Sequence, residues 1–202
     1  MKKRKNITVL SMFALSISLC SVVSASGPLT GAKAFYYGGG FKNLSVTQNL
    51  RYMVAPSAKS LFSEEIDWAI SEYSSIDDVN FGFEKVSWIS DRPDLMIFNS
   101  DDNPHLGDLP GIMLPCNYNS NGACKDTSYN SRWDASVVLL SYDNMKDQDF
   151  SPTNRKKTVI HEFGHVYALE HQPANTDSIM VGGKGTLTSP TDLDVSNLQW
   201  KY

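Results

Sequence analysis

An α/β (α+β) fold with a mixed sheet is predicted by three observations. Short strand-like apolar runs alternate with longer stretches of helical spacing, in the order strand, helix, strands, helix, loop, helix. The 202 residues suit one compact domain with a sizeable core. Hydrophobic residues at 41% and charged residues at 20% belong to a globular chain, not a disordered one.

Leu50-Arg51-Tyr52-Met53-Val54 reads as the first strand, ended by Pro56. Ser63 can cap a helix, with Glu64 and Glu65 set favourably against its dipole. Ile66, Ala69, Ile70 and Tyr73 then recur at i, i+3, i+4 and i+7 and form one apolar face. Val79, Phe81, Phe83 and Val86 suggest a second strand. Asp94 to Phe98, bounded by Pro93 and Asn99, reads as a buried one. Residues 99–131 read mostly as loop, interrupted by the apolar Gly111-Ile112-Met113-Leu114, and Ala135 to Leu140 is a further strand. Ser151-Pro152 opens a second helix, with proline at its permitted first position. Val159, Ile160, Phe163 and Val166 give that helix an apolar face, and it is expected to run to Ala168 or Leu169. Ser189-Pro190-Thr191-Asp192 starts a closing helix with Val195, Leu198 and Tyr202 on one side.

The N-terminus has its own logic. Lys2-Lys3-Arg4-Lys5, the apolar run Ile7 to Val23 and the small residues Val23-Ser24-Ala25 compose a secretory signal peptide over 1–25. The rival reading is an uncleaved membrane anchor; a lipid-modified Cys20 is disfavoured by Leu19 before it. Residues 26–44, rich in glycine, read as a flexible lead-in. Without the signal, 14 basic residues face 22 acidic ones, a net charge of −8. Such an acidic surface argues against nucleic acid and anionic membranes as partners. Two cysteines then remain, Cys116 and Cys124. In an oxidising compartment they most simply pair as a disulfide that pins a local loop.

The stretch that carries chemistry is His161-Glu162-Phe163-Gly164-His165-Val166-Tyr167-Ala168-Leu169-Glu170-His171. Histidines at i and i+4 project from one helix face, so both imidazoles can reach one ion. Glu162 flanks that line and is placed to take a proton from metal-activated water. His171 lies beyond the expected helix end, and the chain must turn to bring it back as a third ligand. Three protein ligands with an open position suit a catalytic zinc, not a structural one. With four histidines in 202 residues, the pattern arises by chance with a probability of about 4 × 10⁻⁵.

These residues resemble the metzincin zinc metallopeptidases, and within them the matrixin-like peptidases, whose signature is H-E-x-x-H-x-x-G-x-x-H followed by a methionine turn. Asp177-Ser178-Ile179-Met180 sits where that turn belongs, which makes Met180 its methionine. Leu187 to Tyr202 is similar to the matrixin C-terminal helix, Pro93 to Phe98 to its third strand, and Asp134 to Ser141 to its last. The resemblance implies a five-stranded twisted mixed sheet and two long helices over a catalytic domain of residues 45–202. A small C-terminal subdomain would carry the third zinc histidine and the methionine turn. It also implies a strand at the cleft edge, to which substrate adds as a further strand. Gly111, Ile112, Met113 and Leu114 are the candidates for that edge, the other reading being a buried loop segment. The chain departs from the pattern at Ala168, where the family has glycine. No tyrosine follows Met180 closely, and no pro-domain with a latency cysteine is present. Asp101, Asp102 and Asp108 either offer oxygen ligands to calcium or form an acidic surface loop.

The expected function is that of a secreted, extracellular, monomeric zinc endopeptidase acting on polypeptides, with one catalytic Zn2+ held by His161, His165 and His171. Glu162 is the general base, and no membrane partner remains after signal removal. The alternatives are a zinc-binding module that recognises peptides without cutting them and a hydrolase of another amide, such as a wall peptide.

Overall fold

The computed structural model describes residues 27–202. The signal-peptide reading of 1–25 and Cys20 lie outside the described residues. Among the described residues, no helix is long and apolar enough to cross a membrane.

The strands are β1 (Gly40–Phe41), β2 (Leu50–Val54), β3 (Phe83–Lys85), β4 (Leu95–Asn99), β5 (Gly111–Tyr118), β6 (Cys124–Asp126), β7 (Arg132–Trp133) and β8 (Ala135–Leu140). The helices are α1 (Pro56–Ser74), α2 (Tyr142–Asp147), α3 (Pro152–Val166) and α4 (Asp192–Lys201). The architecture is mixed α/β. The main sheet has six strands in the order β3-β2-β4-β8-β5-β6, not five, and β1 and β7 form a separate parallel pair. β3, β2, β4 and β8 run parallel, while β5 is antiparallel to β8 and to β6. The two long helices, of 19 and 15 residues, pack together. Arg155 meets the buried Glu65 at 3.0 Å, and Tyr73 donates from its hydroxyl to the Ile160 carbonyl at 3.0 Å.

Several elements differ from expectation for definable reasons. α1 begins at Pro56, not near Ser63, because Pro56 takes the first helical position and not merely the end of the strand. Its early turn joins the rest through a non-helical Phe62, which is fully buried. Val79 and Phe81 are buried without belonging to a strand, so only Phe83–Lys85 pairs. The apolar run at 111–114 continues through Pro115 to Tyr118, and Cys124–Asp126 folds back on it. Proline is tolerated there because its missing N–H faces away from β8. Cys116 and Cys124 form a disulfide across this hairpin, with Cα atoms 5.5 Å apart.

The glycine-rich lead-in expected over 26–44 is packed where it is described, from residue 27. Ala34, Phe35 and Phe41 join the core. Gln172 and Leu29 exchange hydrogen bonds, the Leu29 amide reaching Oε1 at 2.7 Å and Nε2 reaching the Leu29 carbonyl at 2.9 Å. Asn197 of α4 bonds both Gly31 and Leu29. Polar groups of the C-terminal third thus hold a segment that lacks apolar periodicity of its own.

Candidate metal centre and cleft

Helix α3 begins at a capping box in which the Ser151 and Asn154 side chains each accept the other residue's amide. From Lys157 to Val166 every residue of α3 is buried. His161 and His165 leave this helix on one face, one turn apart.

The helix stops at Val166, short of the expected Ala168 or Leu169. The Leu169 amide donates to the Gly164 carbonyl at 3.0 Å and the Ala168 amide to the His165 carbonyl at 2.8 Å. This pair of bonds is a Schellman motif, whose C′ residue takes a left-handed conformation and is usually glycine. Here it is Ala168, at φ 64°. The reversal carries the chain back along the N-terminal segment, where Phe35 bridges Leu169 and the Glu170 amide reaches the Ala34 carbonyl at 2.8 Å. His171 is thereby delivered to the other two histidines.

The Nε2 atoms of His161, His165 and His171 converge at 3.1, 3.2 and 3.2 Å from one another. Their opposite ring nitrogens are oriented by backbone: Nδ1 of His161 lies 2.8 Å from the Ile179 carbonyl and Nδ1 of His165 lies 2.7 Å from that of Leu169. A carbonyl can only accept, so each Nδ1 carries the proton and each Nε2 turns a lone pair inward. Burial, with lesser contributions from neighbouring positive groups, holds His161 well below the usual histidine range, His165 down to about 3, and His171 lowered. Three neutral imidazoles aimed at one point are a donor set for a divalent ion. Zinc–nitrogen bonds of about 2.05 Å in a tetrahedron place ligands about 3.3 Å apart, close to the spacing found here. Among the described residues, this is the only group of three or more that converges as metal ligands do.

Met180 is fully buried, its sulfur against Gly164 of α3. A Cβ at Gly164 would collide with its sulfur and come within 3.0 Å of Tyr73 Oη, so the glycine between the two helical histidines is what admits Met180. The turn itself is held by Asp194 of α4, fully buried, which accepts from Ser178 Oγ, from the Ile179 amide at 2.8 Å and from the Thr191 amide at 2.9 Å.

Glu162 is buried beside the histidines, and its Oε2 has no hydrogen-bond partner. Burial pushes its pKa up to about 8 against the lowering effects of Lys157 and the Met113 amide. Lys157, one turn before His161, is pushed down to about 8 by burial and donates to the carbonyls of Val181 and Gly183. On the other flank, the Tyr36 ring stacks on His165 and its hydroxyl lies 3.0 Å from His165 Nδ1. These groups line one cleft of about 550 Å³, together with Gly111, Ile112, Met113 and Tyr129. Leu114, the fourth residue of the expected edge, does not line it.

The aspartates considered for calcium do not converge. Asp101 instead accepts from Asn99 Nδ2 at 2.7 Å and from Ser141 Oγ and the Asp143 amide, both at 3.0 Å, which ties β4 to the start of α2. Burial raises its pKa, but these bonds together more than reverse that effect.

The residues missed in the sequence are Tyr36, Asp194 and Lys157. Tyr36 carried no signal, lying in a segment without periodicity. Asp194 closes a capping box that begins at Thr191, two residues after the Ser189 start expected from the sequence, and its reach to the turn before Met180 has no local signal. Lys157 shares the histidine face at i−4 from His161, an offset that was legible. No protein-family model matches the chain, and no curated protein matches it significantly.

Proposed function

We propose that the protein is a secreted zinc-dependent endopeptidase. The observation that carries this reading is the pairing of an open, three-imidazole donor set with a buried, unpartnered carboxylate oxygen, both in one cleft bordered by a strand edge. Imidazole donors suit zinc, and three of them leave a coordination position for chemistry. Zinc bound there supplies a Lewis acid that lowers the pKa of water toward about 7 and polarises a carbonyl.

The chain's own residues supply the rest. The carbonyls of Ile179 and Leu169 fix the tautomers of His161 and His165, so both present Nε2 without rearrangement. The Glu162 carboxylate accepts the proton of the attacking water at its unpartnered oxygen and returns it to the departing amide nitrogen. Lys157 draws this carboxylate toward its charged form, the form a base needs, against the push of burial. The Tyr36 ring, stacked on His165 and packed against Tyr129, covers the His165 side of the site.

The test is metal quantification on the purified mature protein, with cleavage of a denatured protein followed with and without a chelator. One zinc per chain is expected, with cleavage lost on chelation and restored by zinc. Glu162→Gln should keep the metal and lose about 10²–10⁴-fold in rate. Cleavage by Glu162→Gln at the parental rate, or an intact substrate with zinc bound, would refute the reading.

A further inference from the structure

The rim of the cleft is formed by β5, whose backbone alternates between two neighbours. Pro110 stands opposite Ser141, whose amide donates to the Pro110 carbonyl at 3.0 Å. In an antiparallel ladder hydrogen-bonded and non-bonded pairs alternate, so residues 112 and 114 also turn their backbone groups toward β8. Residues 111, 113 and 115 turn theirs to the outer edge, where an added strand would pair.

The chain itself already covers most of that edge. The Pro115 carbonyl accepts from the Thr127 amide at 2.9 Å. The Met113 carbonyl accepts from the Tyr129 hydroxyl at 2.6 Å, and the Met113 amide is engaged by the Glu162 carboxylate. Just before the strand, the Leu109 amide donates to the Leu106 carbonyl and its own carbonyl accepts from Asn144 Nδ2, both at 2.8 Å. Gly111 alone keeps both outward groups without a partner among the described residues. It also lies close against α3: a Cβ at Gly111 would stand 3.2 Å from Glu162 Cγ and 3.1 Å from Thr158 Cγ2.

We propose that Tyr129 determines how much peptide backbone the cleft engages, its hydroxyl capping Met113 and leaving a one-residue pairing frame at Gly111. The substrate class is then a peptide gripped over a short backbone stretch, not a long strand laid along β5. This inference rests on the cleft being the peptide site proposed above, and its test does not require cleavage.

Tyr129→Phe removes the cap and keeps the ring that packs 5.0 Å from Tyr36. Binding is measured by NMR titration on purified, metal-retaining Glu162→Gln protein, with and without Tyr129→Phe. The probes are a blocked Ala-Leu dipeptide and a blocked octapeptide centred on Ala-Leu. In both proteins the Gly111 amide resonance should shift with either ligand. Uncapping Met113 should tighten the octapeptide about three- to tenfold, the worth of one net hydrogen bond, and leave the dipeptide within about twofold. Equal octapeptide affinity in the two proteins, weakening of both ligands together, or a Gly111 amide that does not shift would overturn the proposal. Failure of the endopeptidase reading is read separately, as zinc-loaded parent protein that cuts nothing.

Discussion

Ala168→Gly tests whether the third histidine is delivered by the left-handed helix end. An L-residue at φ 64° carries about 1–2 kcal/mol of strain, which glycine relieves. Against this, glycine gains unfolded-state entropy worth about 0.4–1 kcal/mol. The alanine methyl is also fully buried beside Gly40, and losing one buried methyl costs about 0.8 kcal/mol. The three contributions nearly cancel, so the variant should lie within about 1 kcal/mol of the parent. That corresponds to a melting-temperature change within about 4 °C for a domain of this size. Zinc affinity, measured by chelator competition, should be unchanged, because glycine takes the same backbone conformation more readily. Ala168→Val is the contrasting arm: a branched side chain in a buried left-handed position should cost about 1–3 kcal/mol. A Gly variant destabilised by more than about 2 kcal/mol, or with zinc affinity lowered more than tenfold, would refute the argument that this turn positions His171.

Gly164→Ala should destabilise by about 1–3 kcal/mol in urea melts although alanine is the better helix former, because the methyl collides with Met180; a stabilised variant would refute that packing. Asp194→Ala should cost at least about 2 kcal/mol by chemical denaturation, since Ser178, Ile179 and Thr191 lose their acceptor; a neutral variant would remove Asp194 from its role in the turn. In metal-free protein, Glu162 has its folded pKa raised from 4.5 to about 8, so the folded state keeps a proton the unfolded state has lost, and stability falls as pH rises between those values. His165, lowered from 6.5 to about 3, acts in the opposite sense but only below 6.5, and Lys157, lowered from 10.5 to about 8, raises stability only above about 8. Urea melts should therefore show a minimum near pH 8. Glu162→Gln should abolish the fall from pH 6.5 to 8, and an unchanged profile would refute the assignment.

The helix that carries the site was legible because its signals are local: a cap at Ser151, proline at the first position, and apolar residues at helical spacing. The convergence of His161 and His165 follows from helix geometry alone. That of His171 does not, since its approach depends on one alanine adopting a conformation it disfavours and on pairing with a distant N-terminal segment. β8 was readable as an isolated apolar run, whereas β5 was cut short at Leu114 because Pro115 and the Asn/Gly-rich turn after it are stop signals. Only the partner strands show that Pro115 sits where no donor is needed. Tyr36 and Asp194 act on the site across sequence separations of 129 and 15–16 residues, beyond what periodicity can register.

The packing of the N-terminal arm has a consequence for the order of events during synthesis. Leu29 is bonded to Gln172 and Asn197, and Gly31 to Asn197, so contacts made by nearly the first described residues close only over separations of 143 to 168 residues. A chain emerging from its N-terminus holds this arm undocked until Gln172 and Asn197 have been made. Closing loops of that length is entropically slow, while α1, β2 and β4 can assemble among themselves much earlier. His171 is positioned by the docked arm, and Asp194, which holds the turn at Met180, emerges only after all three histidines. Completion of the three-histidine centre therefore waits for the arm to dock. Until the arm docks, the chain carries two of the histidines on a formed helix with the third unplaced, and the three-imidazole donor set stays incomplete.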